Sequence, residues 1–180
     1  MVLALFLHKG VGDYMGVKWK TTKDNIPQMT ETVSLLGGKS VEVGCDWANA
    51  WLAGIHEYGC RIPVTPKMRA FLHSQGLHLK ASTTEIVIPE RSFIRNGHDE
   101  NVDRVLTQTE RAVGQVIAGK MTVDDLLDFC GEQMATAIKK YARDLSSPSN
   151  HPYTVDQKGS GNPLVDTGQM IESITWGDKL

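Results

Sequence analysis

Apolar positions along the chain change period several times, and each change marks an element. From Asp24 onward, Ile26, Met29, Val33 and Leu36 recur at steps of three and four, the spacing of one helical face. Pro27 stands near the start, where its missing N–H is harmless, and Gly37-Gly38 ends the helix. Val41-Glu42-Val43-Gly44-Cys45 then alternates apolar and polar, the period of a half-buried strand. Helical spacing returns from Trp47 to Tyr58: Trp47, Ala50, Trp51, Gly54 and Ile55 share a face, and Gly59 breaks the run. Pro63 and Pro66 bracket an extended segment. Residues 67–73 fit either a helical turn or the first arm of a hairpin. The clearer alternation lies in Leu77-His78-Leu79-Lys80 and Glu85-Ile86-Val87-Ile88, which predicts a strand pair turning through residues 81–84.

Two longer helices come next. Val102, Val105, Leu106, Thr109, Val113, Val116 and Ile117 hold one face across residues 99–118, with Gly119 just beyond. The second helix opens at Thr122, a favourable N-cap, with Asp124 and Asp125 in the first turn where the helix dipole prefers anions. Its stripe runs through Val123, Leu126, Leu127, Cys130, Met134, Ala137, Ile138, Tyr141 and Leu145. Residues 146–162 are polar and turn-rich, a long loop, and residues 164–176 regain structure. The expected fold is α+β: a small, mostly antiparallel sheet packed against two long C-terminal helices, with the long loop before a short C-terminal element. Residues 1–23 read as an N-terminal arm and residues 24–180 as a single domain.

Composition narrows the function classes. Nineteen Lys and Arg stand against 21 Asp and Glu, a formal net charge of −2. A sequence-independent nucleic-acid binder needs a basic surface to displace counterions from phosphates, so this balance speaks against one. Hydrophobic residues make up 41% of the chain, slightly under the usual soluble range, as in subunits that complete their burial against neighbours. Cys45, Cys60 and Cys130 are odd in number and irregularly spaced, so no disulfide framework is implied and a reducing cytoplasm is the expected place of synthesis. The apolar start Met1-Val2-Leu3-Ala4-Leu5-Phe6-Leu7 has no positive region before it and stops at His8-Lys9-Gly10. It reads as a strand or a partner-buried segment, not as a signal peptide or a membrane span.

Candidate chemistry is sparse. His56-Glu57-Tyr58-Gly59-Cys60 resembles the zinc-protease helix motif, but Cys60 replaces the second His, and Gly59 and Pro63 prevent one helical face from carrying both. The plainer reading is a helix C-terminus with local hydrogen bonds and a left-handed turn at Gly59. A metal set of His56, Cys60, His73 and His78 lacks any CxxC or HxxxH anchor. No GxSxG, phosphate loop or dinucleotide fingerprint is present, and no nucleophile, base and orienter assemble. No catalytic residue, metal or cofactor is therefore expected. Glu90-Arg91-Ser92-Phe93-Ile94-Arg95 places two cations around an apolar pair. Either Phe93 and Ile94 plug the core while the arginines face solvent, or Arg91, Phe93 and Arg95 form a subunit contact.

Three segments in order resemble the neck, or tail-completion, proteins of tailed phages, including the virion-morphogenesis family of Mu-like phages. They are Val41-Glu42-Val43-Gly44 with Ile55-His56-Glu57-Tyr58-Gly59; Ile88-Pro89-Glu90-Arg91-Ser92-Phe93-Ile94-Arg95; and Pro163-Leu164-Val165-Asp166-Thr167-Gly168-Gln169-Met170-Ile171-Glu172-Ser173-Ile174. The last is similar to that family's "P-L-[IV]-D-T-G-x-[LM]-x-x-S-I" signature. The likeness spans roughly residues 24–176. Gln169 departs from it, since a basic residue is common there, and the chain stops soon after Trp176, so a terminal hairpin is expected to be short. In physical terms Asp166-Thr167-Gly168 is a tight turn that caps a short helix.

The resemblance implies a non-enzymatic virion protein that forms a homo-oligomeric ring of twelve or six copies at the head–tail junction. Its partners would be the head connector on the portal side and the tail terminator or tail tube. DNA would pass through an acidic or neutral channel without specific binding, no membrane would be involved, and assembly would take place in the host cytoplasm. Arg91, Phe93, Arg95, Asp166, Thr167 and Gly168 are the expected interface residues. The loop 146–162 and the apolar start are the segments expected to reach a neighbour. A tail terminator capping the tube is the alternative within the same system. A zinc hydrolase on His56 and Glu57 and a monomeric binding domain are the alternatives outside it.

Overall fold

The computed structural model describes residues 25–177. Its axis is α6 (Val123–Asp144). This helix starts in a reciprocal capping box: Thr122 Oγ1 accepts from the Asp125 N–H at 3.1 Å, and the Asp125 carboxylate accepts from the Thr122 N–H at 3.1 Å. The Thr122 hydroxyl and then its N–H hold the Asp125 carboxyl below the usual carboxylate range. The α6 stripe buries Met134, Ala135, Ile138 and Ala142 in the main core. Helix α5 (Val102–Ile117) packs along it through Val105, Ala112 and Val116. Helix α4 (Phe93–Asp99) lies closer still. A Cβ at Gly97 would stand 3.2 Å from Ile138 Cα, so glycine there sets how near the two backbones come.

The same helix also carries a two-stranded antiparallel ladder of β1 (Val43–Cys45) and β4 (Ile174–Trp176), with Val43 opposite Trp176 and Cys45 opposite Ile174. Trp176 lies directly over Gly131, where a Cβ would come within 2.4 Å of its Cγ. The indole N–H donates to Asp128 at 3.1 Å. Phe93, Ile138, Ile171 and Ile174 are the largest fully buried side chains, so the main core lies where α4, α6, α8 (Gln169–Glu172) and β4 meet. A smaller cluster of Ala112, Val116 and Leu126 takes in Leu36, the last residue of α1 (Ile26–Leu36).

A separate antiparallel ladder joins β2 (Cys60–Pro63) to β3 (Glu85–Ile88), with Cys60 opposite Ile88 and Pro63 opposite Glu85. Between the two strands the chain makes an excursion through α3 (Pro66–Ser74). No residue from 60 to 88 is buried. Polar clamps hold this lobe: Arg69 donates to the carbonyls of Leu79 (3.2 Å), Lys80 (2.8 Å) and Thr83 (2.6 Å), and Arg61 pairs with Glu85 at 2.5 Å. Among the described residues no helix is long and apolar enough to cross a membrane.

The architecture corrects the expected one. The two long helices, α5 and α6, are internal, spanning residues 102–144, and the elements after them are short: α7 (Pro152–Lys158), α8 and β4. Among the described residues the strands form two separate pairs and not one small sheet, and of these β1–β4 lies on α6. The hairpin of residues 77–80 with 85–88 is absent: 85–88 pairs with 60–63 instead. Residues 66–74 are helical because Thr65 Oγ1 accepts the Met68 N–H at 3.1 Å and Pro66 suits the first turn. Gly59 makes the β2–β3 pairing possible, with a φ of +73° and a Cβ position only 2.9 Å from Ile88 O. The long loop 146–162 contains α7, capped by His151 and closed by Gly159 in the left-handed conformation. The helix expected over 99–118 is present as α5, and a short helix not expected from the sequence, α4, precedes it and ends at Asp99. The apolar start falls outside the described residues.

Candidate functional site

The sequence Trp47–Tyr58 forms α2, capped by Asp46, whose carboxylate accepts the Asn49 N–H at 2.9 Å. The shared face of its large apolar residues is turned to solvent. Ala53 and Glu57 face the core, whereas Trp47 is 89% exposed, Trp51 77% and Tyr58 68%. At 100° per residue these three and Gly54 fall within a narrow stripe, so two indoles and a phenol line one solvent-facing ridge. Arg95 closes its end, with the guanidinium carbon 4.8 Å from the Tyr58 ring centre. Helix α1 shows the same orientation: Ile26, Met29, Val33 and Leu35 are exposed, and no residue of the helix is buried.

Behind the ridge, Glu57 joins α2 to α4. Its carboxylate, almost without solvent contact, accepts the Ile94 N–H at 2.9 Å and the Arg95 N–H at 3.1 Å. Ser92, at the N-cap of α4, makes no side-chain cap bond, so Glu57 satisfies the helix start from another element. The Arg95 Nε donates to the same carboxylate at 2.9 Å, and its Nη2 reaches Glu90 at 2.7 Å. Glu90 is held below the usual carboxylate range, first by the Ser92 hydroxyl and then by Arg95.

Arg91 points the other way and is buried. Its N–H donates to His56 O at 2.7 Å; Nε donates to Pro148 O at 2.9 Å, and Nη2 to Asn150 Oδ1 at 3.0 Å. One planar fork thus ties the segment after α6 to the end of α2. His56 Nδ1 lies 3.4 Å from Arg91 Nη1. Burial, then the charges of Arg91 and Lys158, push the imidazole below its ordinary pKa.

His56 also lines a cleft of about 260 Å³ with Lys158, Asp166, Thr167 and Gly168. Asn162 holds two of the lining residues, Lys158 and Leu164: its Oδ1 accepts the N–H groups of Leu164 (2.9 Å) and Val165 (3.0 Å), and its carbonyl accepts Lys158 Nζ at 3.0 Å. Gly168, at φ +84°, is the N-cap of α8, and Met170 and Ile171 behind it are buried.

Of the six residues expected at an interface, Phe93 is fully buried and Arg91 is spent on contacts within the chain. Arg95 is half exposed at the end of the aromatic ridge, and Asp166 and Thr167 are exposed at the cleft. Through Arg91 and His56 the structure brings the Glu90–Arg95 and Asp166–Gly168 segments to neighbouring positions; Arg95 and Asp166 serve different surfaces. The arginines do not both face solvent.

His56 and Glu57 turn to different partners, and Cys60 sits in the β2–β3 ladder. His73 and His78 stack edge to face at 4.4 Å. Among the described residues no three His, Cys, Asp or Glu side chains converge on a metal-sized point. Sequence reasoning missed Glu57 as the cap of α4 and the outward turn of Trp47 and Trp51. The one available signal was two tryptophans in a helix whose opposite face already offered Ala53. Comparison with known proteins gave no match to any family model, curated protein or solved structure.

Proposed function

We propose that this chain is a structural subunit of a tailed-phage particle that builds a ring at the head–tail junction, joins the head connector to the tail and leaves a channel for DNA. The observation that carries the subunit half is the solvent-facing ridge of Trp47, Trp51 and Tyr58, ended by Arg95. Trp, Tyr and Arg dominate the energetic centres of protein interfaces, and exposed apolar patches on this scale mark contact surfaces. The exposed face of α1 is a second, different apolar surface. Two unlike surfaces on one subunit fit head-to-tail contacts, which close into a ring when the rotation allows.

The phage half rests on the ordered likeness of residues 41–59, 88–95 and 163–174 to neck proteins. A net charge of −2 agrees with a lumen past which DNA slides without being gripped. The partners are further copies of the chain, in twelve or six, the connector on the portal side and the terminator or tube on the tail side.

The test is a Trp47→Ser, Trp51→Ser double variant in a phage genome. The exposed side chains predict a folded protein with nearly unchanged melting. They also predict loss of the ring in native mass spectrometry and an accumulation of separate heads and tails by electron microscopy. Fully joined, infectious particles from the variant overturn the proposal. In the wild-type particle, a twelvefold ring beside the connector is the expected position; a sixfold ring on the tail tube reassigns the chain as a terminator.

A further inference from the structure

Strand β1 is paired with β4 along one edge, and among the described residues its other edge is open. Glu42 O accepts the Gly177 N–H at 3.0 Å, and the Asp46 N–H donates to Ser173 O at 3.1 Å. Residues 42, 44 and 46 therefore turn their main-chain groups toward β4, and by the antiparallel alternation Val43 and Cys45 turn theirs away. Among the described residues no strand pairs with that second edge.

The open edge does not face plain solvent. It borders a groove of about 670 Å³ lined by Val41 and Val43, by Ile94 and Val105, and by Met134 and Ile138 of the core helix α6. Val41 and Val43 line the groove, and no residue of β4 does. Its volume is that of a ligand-sized cleft, within roughly 300–1,000 Å³, and its lining is mostly apolar, with Arg95, His98 and Asp99 as the charged or titratable exceptions. Unpaired main-chain groups beside an apolar trough are the receiving half of strand addition: main-chain bonds give affinity, and alternate side chains fill the trough. A two-stranded ladder is marginal in water, and a third strand is what makes such a unit stable.

We propose that the groove is a strand-acceptor site and that its occupant, in the free protomer, is the chain's own apolar run Met1-Val2-Leu3-Ala4-Leu5-Phe6-Leu7. Both of its alternating sets, Val2/Ala4/Phe6 and Leu3/Leu5/Leu7, are apolar, so either face turned inward matches the groove. Residues 8–25 connect it to α1, and 18 residues span up to ~59 Å when extended, which is ample. Helix α1 packs on α5 and α6, two of the helices that line the groove. A tether of that length holds the segment near the site at an effective concentration on the order of millimolar, well above that of a second copy in dilute solution. Such self-occupancy belongs to the free protomer and is independent of the phage reading.

Hydrogen exchange on the full chain and on a variant lacking residues 2–8, both at low concentration, tests it. The amides of Val43 and Cys45 are expected to exchange at least about tenfold faster in the deletion, a ratio equivalent to ~1.4 kcal/mol of strand pairing, while α6 amides keep their rates. Equal rates at Val43 and Cys45 in the two proteins overturn the proposal. A second experiment keeps the whole chain: Leu5→Cys and, separately, Ala4→Cys, one from each alternating set, are combined with Cys45→Ser and Cys60→Ser, so that each variant has the introduced thiol and Cys130, which lines the groove. A short bismaleimide is expected to link the two thiols within one chain in the variant whose cysteine faces inward. A link between two chains, or none in either variant, overturns the assignment.

Discussion

Glu57→Gln is the sharpest test of how the molecule is held together. The carboxylate is almost completely buried and accepts two N–H groups at the start of α4 together with Arg95 Nε. Glutamine keeps the shape and one acceptor oxygen, but it places an NH₂ group where another donor already points. At least one charge-assisted bond, each about 1.5–3 kcal/mol, is lost, and a donor is left facing a donor. The expected loss is roughly 2–4 kcal/mol, a large share of the ~5–15 kcal/mol that holds a domain of this size. Each kcal/mol lowers the melting temperature by about 2–4 °C, so calorimetry should show a fall on the order of 10 °C. Arg95 supplies the control. Its side chain is half exposed, and water can replace Glu57 around it, so most of the loss belongs to the two main-chain bonds. Glu57→Gln should therefore destabilise an Arg95→Met background nearly as much as the wild type. A loss that vanishes in that background would show that the ion pair, and not the helix cap, is what Glu57 provides.

Burial and two neighbouring cations lower the His56 pKa, so the unfolded chain takes up this proton first as pH falls. Stability from this residue is complete above the ordinary value near 6.5 and is lost as pH drops through that value toward the folded pKa. Urea midpoints measured from pH 7.5 to 5 should decline, and His56→Gln should flatten the decline; an equally steep slope in the variant refutes the assignment. Gly131→Ala forces a methyl into the Trp176 ring, with about 1–3 kcal/mol of overpacking against ~1 kcal/mol of helix propensity regained. Net destabilisation with a shifted Trp176 fluorescence is expected, and a stabilised variant contradicts the packing described. Arg91→Lys keeps the charge but not the fork, so proteolysis within residues 147–150 should accelerate while cleavage within α6 does not. Unchanged cleavage would mean that the segment is held by other contacts.

The long helices were legible because their periodicity is sustained and their ends carry local chemistry, as in the Thr122–Asp125 box. Strand pairing was not, because alternation over four residues is shared by Leu77-His78-Leu79-Lys80 and by Cys60-Arg61-Ile62-Pro63. Nothing local says which of them meets residues 85–88; the left-handed turn at Gly59 decides it through its approach to Ile88 and Glu90. Periodicity also grouped Trp47 with Trp51 correctly but left open which way the group faces, and it faces solvent. A stripe says which residues travel together, and not whether the surface that meets them belongs to the same chain. Glu57 and Arg91 lay beyond reach for a related reason. A buried charge depends on partners 37 to 59 residues away, so sequence shows the charge and hides its burial.

The lobe between Cys60 and Ile88 has a further consequence, for how such a chain varies. It leaves and re-enters the body at directly opposed positions on a two-stranded stem and contributes nothing to the interior. Lengthening or shortening it changes closure entropy only slowly, by ~0.6 kcal/mol per doubling, and disturbs no packed side chain. The lobe is therefore a cassette: relatives of this chain are free to carry a different segment there, or a bare turn, on an unaltered core. It is also the place where a reporter domain can be inserted while the rest of the molecule folds as before.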